Sequence, residues 1–199
     1  MVKLLRLMDV QGISEKRREM FEGGMANKVE GRAALHVALR APKESVIMLQ
    51  GVNVVPQVWA VLERARAFSE KVRTGQWRGH TGKLLNDVIC IGIGGSYLGT
   101  EFVYEALRTE PSAATAASGR RLRFLANVDP SDADRALEGL SAETTLIIIV
   151  SKTFTTAETM LNARKVKRWL ALELGDPPAS GLAKHLVACT AAQEKAVAF

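Results

Sequence analysis

The sequence predicts an α/β protein with a doubly wound parallel sheet flanked by helices, preceded by a helical N-terminal segment. Three observations favour this fold class. From Leu84 onward, short apolar runs alternate with segments of helical periodicity. The run TLIIIV at residues 145–150 is apolar on both faces, as expected of a central parallel strand. Another run, residues 88–93, ends in glycines and leads into a helix, an arrangement typical of sheets that bind ligands beyond their strand ends.

The first 56 residues show helical periodicity and no strand pattern. A charged helix is predicted over residues 15–21, and a densely apolar helix over residues 31–39. Because strands alternate with helices only later in the chain, we divide it into a helical N-terminal segment, residues 1–56, and an α/β domain, residues 57–199.

The α/β domain is predicted to open with a long amphipathic helix over residues 57–74 and a glycine-rich loop over residues 75–82. The predicted strands are residues 88–93, 121–128, 145–150 and 185–190. The predicted helices are residues 96–107, a helix opening at Asp129-Pro130, residues 156–174 and residues 191–199.

Two expectations concern the packing of this domain. The helix over residues 96–107 carries four apolar residues spaced to face the sheet, namely Leu98, Phe102, Val103 and Leu107. The run over residues 113–119 is rich in small residues and is predicted to be a mobile surface loop.

Charge and hydropathy exclude several classes of partner. The formal net charge of +6 is modest for 199 residues, and the densest basic cluster lies within a predicted helix, at Arg164, Lys165, Lys167 and Arg168. We interpret this cluster as a solvated helix face rather than a nucleic-acid surface. No apolar run approaches the length that spans a bilayer, so we expect no membrane partner either.

The cysteines and histidines predict no metal site. Cys90 and Cys189 fall in predicted buried strands and form neither a disulfide framework nor a metal-binding spacing. The three histidines lie far apart in the sequence. Since the opening residues also lack the pattern of a signal peptide, we expect a cytoplasmic protein with reduced thiols.

The glycine turn at residues 92–95 suggests a site for a small anionic group. Free amides and a helix N-terminus follow the strand, and Ser96 adds a hydroxyl. The turn is not a dinucleotide fingerprint, because Tyr97 stands where the third glycine of G-x-G-x-x-G would be, and the chain has no Walker loop. An ordinary βα turn remains the alternative.

A second polar segment, residues 151–156, follows the strand TLIIIV directly. Its sequence SKTFTT gathers four hydroxyls and one ammonium, the groups that a phosphate dianion requires. A capping box formed by Thr155 and Glu158 is the structural alternative, but it leaves the other polar residues unexplained. If the two strands are neighbours, both segments meet over one small phosphorylated metabolite, such as a sugar phosphate.

These segments resemble a known family. GIGGSYLGT (92–100) and IVSKTFTTAET (149–159) are similar to the sugar isomerase domain of the glucose-6-phosphate isomerase family, and the resemblance extends to GRAALHVALR (31–40), VRTGQWRGHTGK (72–83) and FLANVDPSD (124–132). It implies interconversion of glucose 6-phosphate and fructose 6-phosphate, in glycolysis and gluconeogenesis, without a cofactor or metal. Tyr97 and Thr100 depart from the residues that many members carry, Asp and Pro.

The resemblance also implies roles for individual residues. Those implied to hold the sugar phosphate are Ser151, Lys152, Thr153 and Thr156, and those implied to approach the sugar hydroxyls are Gly95 and Ser96. The catalytic base and the ring-opening histidine belong to a later part of longer family members, so no catalytic residue is assigned here. We therefore expect an N-terminal portion that carries half of an active site, is inactive alone, and forms a homodimer in its full-length form.

Two other functions are weighed against this one. The same domain could serve as a non-catalytic sugar-phosphate-binding module. A nucleotide-dependent oxidoreductase is a weaker alternative, with Asp129 at a strand end as a ribose-binding acid, and the missing third glycine argues against it.

Overall fold

The structure, a computed structural model, describes residues 2–29 and 31–199. It divides into two compact units, Met1–Ser69 and Glu70–Phe199. The division falls inside a long helix. The boundary predicted from the sequence, between residues 56 and 57, stays a prediction.

The first unit contains more than helices. Its elements are α1 (Val2–Val10), α2 (Ile13–Phe21), α3 (His36–Leu39), β1 (Met48–Leu49), β2 (Val52–Asn53) and the first part of α4 (Val55–Arg73). The expectation that this segment has no strand is wrong, because β1 and β2 pair antiparallel. Their two-residue turn has positive φ at both Gln50 and Gly51, as a hairpin turn with the right twist requires. Of the helix predicted over residues 31–39, only α3 forms.

A small core holds the first unit together around the start of α4. Val54, Val55 and Ala38 are buried, and Trp59 packs against them. The side-chain oxygen of Asn53 accepts hydrogen bonds from the amides of Ile47 and Val55, at 3.1 and 3.2 Å. These bonds fix the chain as it leaves the hairpin and enters the helix.

The second unit alternates strands with helices. Its strands are β3 (Asp87–Ile91), β4 (Arg121–Leu125), β5 (Thr145–Val150) and β6 (Leu186–Cys189). Its helices are α5 (Leu98–Leu107), α6 (Pro111–Ala116), α7 (Pro130–Leu137), α8 (Ala157–Glu173), α9 (Ala179–Leu182) and α10 (Gln193–Ala198). Short 3-10 turns at Gly94–Ser96, Ala142–Thr144 and Ala183–His185 complete it.

The four strands form one parallel sheet in the order β4-β3-β5-β6. Ile91 of β3 pairs with Leu125 on one side and Ile149 on the other, and Val150 pairs with Cys189. The predicted fold class is confirmed, and β5 has the bounds predicted for it and a neighbour on each side. Parallel pairing places the carboxyl ends of β3, β5 and β6 at the same edge of the sheet.

The core of this unit lies between β3, β5 and α8. The strand residues Ile89, Ile91, Ile147 and Ile149 are all at most 2% exposed. The helix residues that cover them are Ala163, Val166 and Leu170, which are fully buried. The spacing of these three residues is the helical pattern of one face against a sheet.

Three expectations about packing are wrong. The apolar face predicted to pack α5 on the sheet is exposed, at 59% for Leu98 and 73% for Phe102. Cys189 is also exposed, because β6 is an edge strand, whereas Cys90 on a central strand is buried. The run 113–119 begins inside α6 rather than in a loop, because Pro111 and a hydrogen bond from the amide of Ser112 to the side chain of Glu110 start a helix there.

The glycine-rich loop before β3 is anchored to the amino ends of the strands. The amide of His80 donates to Nε2 of the fully buried His185 at 2.7 Å, and Nδ1 of His185 lies 2.8 Å from the carbonyl oxygen of Thr145. Gly79 is required here, because a Cβ on it would lie 2.6 Å from the imidazole of His185. This loop therefore has a structural role, at the edge of the sheet opposite the polar segments.

Candidate functional site

The two polar segments follow adjacent parallel strands. β3 pairs with β5 along its whole length, and Asp87 to Ile91 match Thr145 to Ile149 in register. The glycine turn begins at Gly92 and the second segment at Ser151, directly after the two strands. The condition set by the sequence, that these strands be neighbours, is met, so both segments lie at one edge of the sheet.

The glycine turn is tightly built at its base and open at its tip. A Cβ on Gly92 would lie 2.6 Å from the carbonyl oxygen of Ser96, so only glycine fits there, and Gly94 has a φ of +55°. Within residues 2–29 and 31–199, the amides of Gly94 and Gly95 and the hydroxyl of Ser96 donate no hydrogen bond. Gly94 and Gly95 are exposed and Ser96 is half-buried.

The second segment presents its hydroxyls at the start of α8. The N-cap residue is Thr156 rather than Thr155, and its side chain makes no capping hydrogen bond, so the capping-box alternative is wrong. The hydroxyls of Thr153 and Thr155 lie 2.8 Å apart. In the part of the chain that the structure describes, the amides of Thr153, Thr155 and Thr156 donate no hydrogen bond to the protein.

Ser151 differs from the other hydroxyl residues because it is buried, at 2% exposure. Its amide donates to the carbonyl oxygen of Cys189 at 3.1 Å, and its hydroxyl donates to Oγ1 of Thr156 at 3.4 Å. The carbonyl oxygen of Lys152 accepts from the amide of Ala191 at 3.0 Å and is therefore also held by the chain after β6. The segment is thus fixed at its beginning, while Thr153 and Thr155 are exposed.

Phe154 anchors the middle of the segment. It is buried and has a φ of +53°, in the left-handed region that costs energy for any residue with a Cβ. Its ring makes an edge-to-face contact with Phe199, with centroids 5.7 Å apart. Turning this one aromatic side chain into the core leaves the hydroxyl-bearing neighbours on the outside.

The charge at this edge favours an anion. α8 is 17 residues long, so the positive end of its dipole lies at Thr156 and the two threonines before it. The side chain of Lys152 is exposed beside them. Amide donors, hydroxyls, an ammonium group and a helix N-terminus together suit a phosphate dianion.

Asp129 has a structural role that the oxidoreductase alternative did not anticipate. Its carboxylate caps α7 and accepts from the amide and hydroxyl of Ser131, at 2.9 and 2.6 Å. These hydrogen bonds lower the pKa of Asp129 below its ordinary value. The group is engaged by its own helix, which removes the observation on which that alternative rested.

Two features of this region are not visible in the sequence. The side-chain amide of Asn162 on α8 donates to the carbonyl oxygen of Asn127 at 2.8 Å and ties α8 to the loop after β4. Thr159 is a buried residue in the first turn of α8, and its hydroxyl has no hydrogen-bond partner in the described part of the chain. Both lie in or beside the motifs quoted above, but only three-dimensional contacts single them out.

Other kinds of site find no support in the described chain. Residues 2–29 and 31–199 contain no group of three or more His, Cys, Asp or Glu side chains that could hold a metal ion. Over the same residues, no helix is long and apolar enough to cross a membrane.

Comparison with known proteins identifies relatives over the whole chain. The family described as phosphoglucose isomerase matches residues 1–199. The glucose-6-phosphate isomerase named cytosolic from Arabidopsis thaliana is 56% identical over 188 residues, which are 94% of this chain and 33% of that protein. The corresponding protein of Zea mays is 55% identical over the same shares. The chain therefore spans about a third of the length of the curated relatives it matches.

Solved structures share the fold. A glucose-6-phosphate isomerase from Chlamydia trachomatis superposes with a TM-score of 0.71 at 24% identity, over 92% of this chain and 33% of that one. A hypothetical protein from Thermus thermophilus superposes with a TM-score of 0.55 at 24% identity, over 94% and 35%. At this identity the likeness shows the fold alone.

Proposed function

The chain belongs to the phosphoglucose isomerase family, and we propose that it carries the sugar-phosphate-binding part of a glucose-6-phosphate isomerase. The reaction interconverts glucose 6-phosphate and fructose 6-phosphate. The observation that supports this most strongly is the pair of donor-rich segments at the ends of the adjacent strands β3 and β5.

The phosphate binds at the start of α8. Lys152, Thr153 and Thr156 supply a cation and two hydroxyls, and the amides of the segment add donors aligned with the helix dipole. Ser151, which is buried, donates its hydroxyl to Thr156 and so orients it. The sugar extends toward Gly95 and Ser96, whose amide and hydroxyl are open at the glycine turn.

Binding of the phosphate positions the substrate and takes no part in the chemical step. Isomerisation moves a proton between C1 and C2 through an enediolate, and holding the phosphate orients those carbons toward a base. The base comes from residues outside these 199, so the chain binds sugar phosphate without turning it over. The relatives named cytosolic support a cytoplasmic location, and the full-length form is a homodimer.

Calorimetry with 6-phosphogluconate tests the binding site. The wild-type chain binds this phosphorylated sugar acid and does not bind NAD. Thr153→Val and Thr156→Val each lower the affinity by about tenfold, because each removes a hydrogen bond to a charged group. Thr115→Val, on the exposed surface of α6, is the matched control and leaves the affinity unchanged. Equal affinity in all four proteins would contradict the site.

A coupled isomerase assay on the same 199-residue chain tests the division of roles. No turnover above the uncatalysed rate is expected, at protein concentrations where calorimetry shows the site occupied. Turnover by the purified chain would show that the acid and base groups lie within residues 1–199.

A further inference from the structure

The helix that follows the glycine turn is held to the sheet in an unusual way. In the described chain, α5 has no buried residue, and its apolar face lies exposed. A helix that packs on a sheet ordinarily does so through such a face. Val103 and Leu107 of this face border a surface cavity with two residues of the sheet, so other contacts add to the attachment of the helix.

Those contacts are aromatic and converge on one residue of β4. The ring of Phe124 lies 5.7 Å from the ring of Tyr97 and 5.8 Å from the ring of Tyr104, with interplanar angles of 65° and 66°. Both are edge-to-face pairs in the favoured distance range. Tyr97 is the N-cap residue of α5 and Tyr104 lies seven residues later, about two turns along the helix, so both rings reach Phe124 from the same side.

Tyr97 also joins the glycine turn to α5. Its amide donates to the carbonyl oxygen of Gly94 at 3.0 Å, and its own carbonyl oxygen accepts from the amide of Glu101 at 3.1 Å. The neighbouring carboxylate of Glu101 is the main reason that the pKa of this tyrosine rises to about 12. Backbone and side chain together make Tyr97 the joint between turn and helix.

The surroundings of this joint are loosely filled. A surface cavity of about 310 Å³ is lined by Tyr97, Glu101, Phe124 and Asp132, among others. With open space on one side, the ring of Tyr97 is not confined by close packing all round. The edge-to-face contact with Phe124 is the ring contact that holds it.

We propose that Tyr97 is a positioning residue, whose ring, held on Phe124, sets the place of Gly95 and Ser96 for the sugar. The proposal rests on the proposed function and concerns the sugar end of the site alone. The phosphate segment is anchored separately, by Phe154 in the core and by hydrogen bonds to the chain around β6. Loosening Tyr97 should therefore weaken the sugar contacts and spare the phosphate contacts.

The test compares two ligands, 6-phosphogluconate and inorganic phosphate, by calorimetry on the full 199-residue chain. Tyr97→Ala lowers the affinity for 6-phosphogluconate by about three- to tenfold, the range expected for loss of one aromatic pair, and leaves the affinity for inorganic phosphate unchanged. Phe124→Leu removes the other ring of the pair and gives the same selective loss. Tyr97→Phe keeps the ring and retains most of the wild-type affinity.

Phe102→Ala is the matched control, because Phe102 lies on the same helix but is 73% exposed. It should change neither affinity. Equal loss for both ligands in Tyr97→Ala would mean a general loss of structure and would overturn the proposal, as would no loss for either ligand. A wild-type chain that binds neither ligand is a different result, since it contradicts the proposed function itself.

Discussion

Thr145 and Thr159 are both buried threonines of the second unit, yet only one of their hydroxyls has a partner. Thr145 donates to the carbonyl oxygen of Ser141 at 2.7 Å, whereas Oγ1 of Thr159 has none in the described chain. A buried polar group without a hydrogen bond lowers stability, and a satisfied one loses its bond on replacement. The same substitution should therefore act in opposite directions at the two positions.

Thr159→Val is expected to raise the free energy of unfolding by about 1 kcal/mol, because valine has nearly the same shape and no hydroxyl to desolvate. Thr145→Val is expected to lower it by about 1 kcal/mol. Urea unfolding followed by circular dichroism measures both. A destabilising Thr159→Val would contradict the assignment of that hydroxyl as unsatisfied.

The second prediction at the scale of single residues concerns His185. Burial lowers its pKa below the ordinary value, the carbonyl oxygen of Thr145 opposes the change, and the charges of His80 and Lys184 add to it. The imidazole is therefore neutral in the folded chain, with Nδ1 donating to Thr145 and Nε2 accepting from His80. Because the unfolded chain binds a proton more readily, stability is full above the ordinary histidine pKa of about 6.5 and falls as pH drops below it.

The measurement is the urea midpoint at several pH values between about 7.5 and about 5.5, an interval that brackets the ordinary histidine pKa. The wild-type midpoint falls over this interval, and His185→Gln is less stable at the upper end but has a flatter profile. His36→Gln, at an exposed position of α3, keeps the wild-type slope. Equal slopes in the wild type and His185→Gln would assign the pH dependence to other groups.

At the scale of elements, the glycine turn contains one glycine required by the fold, Gly92, and one proposed to contact the sugar, Gly95. A Cβ at Gly92 meets the carbonyl oxygen of Ser96, whereas one at Gly95 meets no atom within 4 Å. Gly92→Ala should lower the free energy of unfolding by about 2 kcal/mol through overcrowding. Gly95→Ala should leave stability unchanged and reduce affinity for 6-phosphogluconate, because its methyl group would lie where we propose that the sugar binds. Thermal unfolding and calorimetry on both variants check the contrast, and a stable, fully binding Gly95→Ala would remove Gly95 from the site.

Elements could be predicted from the sequence where one local signal determined them. The prediction of β5 was correct because a run that is apolar on both faces has few alternatives to a buried strand. The prediction of α7 was correct because Asp129 and Pro130 form a helix N-terminal signal that depends on no distant contact. The β1–β2 hairpin was missed because Gln50-Gly51 is not the usual turn pair. The prediction that the apolar face of α5 packs on the sheet was wrong, because helical spacing shows that a face is apolar but not what it packs against.

At the candidate site, too, features set by the local sequence could be predicted, and features set by distant contacts could not. The residue types and their place after two strands could be predicted, and so could their meeting at one edge once the strands were neighbours. The burial of Ser151 could not, because it depends on tertiary contacts such as those with the chain of β6, where the carbonyl oxygen of Cys189 accepts from the Ser151 amide. The orphan hydroxyl of Thr159 and the aromatic contacts of Phe124 likewise depend on packing between distant segments.

The whole chain exposes apolar surface on α5 despite a net charge of +6. Contiguous exposed apolar patches on a soluble domain favour association. We expect the chain to self-associate through α5, and Leu98→Lys with Phe102→Lys to reduce association by removing apolar area and adding repulsion.

Sedimentation velocity over a range of concentrations measures this. The matched control is Leu161→Lys with Leu172→Lys, which makes the same charge change at exposed positions of α8. An equal decrease in both double variants would mean that charge alone, and not the α5 face, governs association.

The backbone hydrogen bond between Ser151 and the edge strand β6 places a residue suitable for fluorescent labelling, Cys189, next to Ser151. Cys189, whose carbonyl oxygen receives that bond, has an exposed thiol, whereas burial raises the pKa of Cys90 to about 11 and protects it from alkylation. A maleimide dye would thus attach at Cys189 alone, across a backbone hydrogen bond from the segment of residues 151–156. Its emission would test in real time whether a ligand occupies the proposed site, while every hydroxyl of that segment stays native.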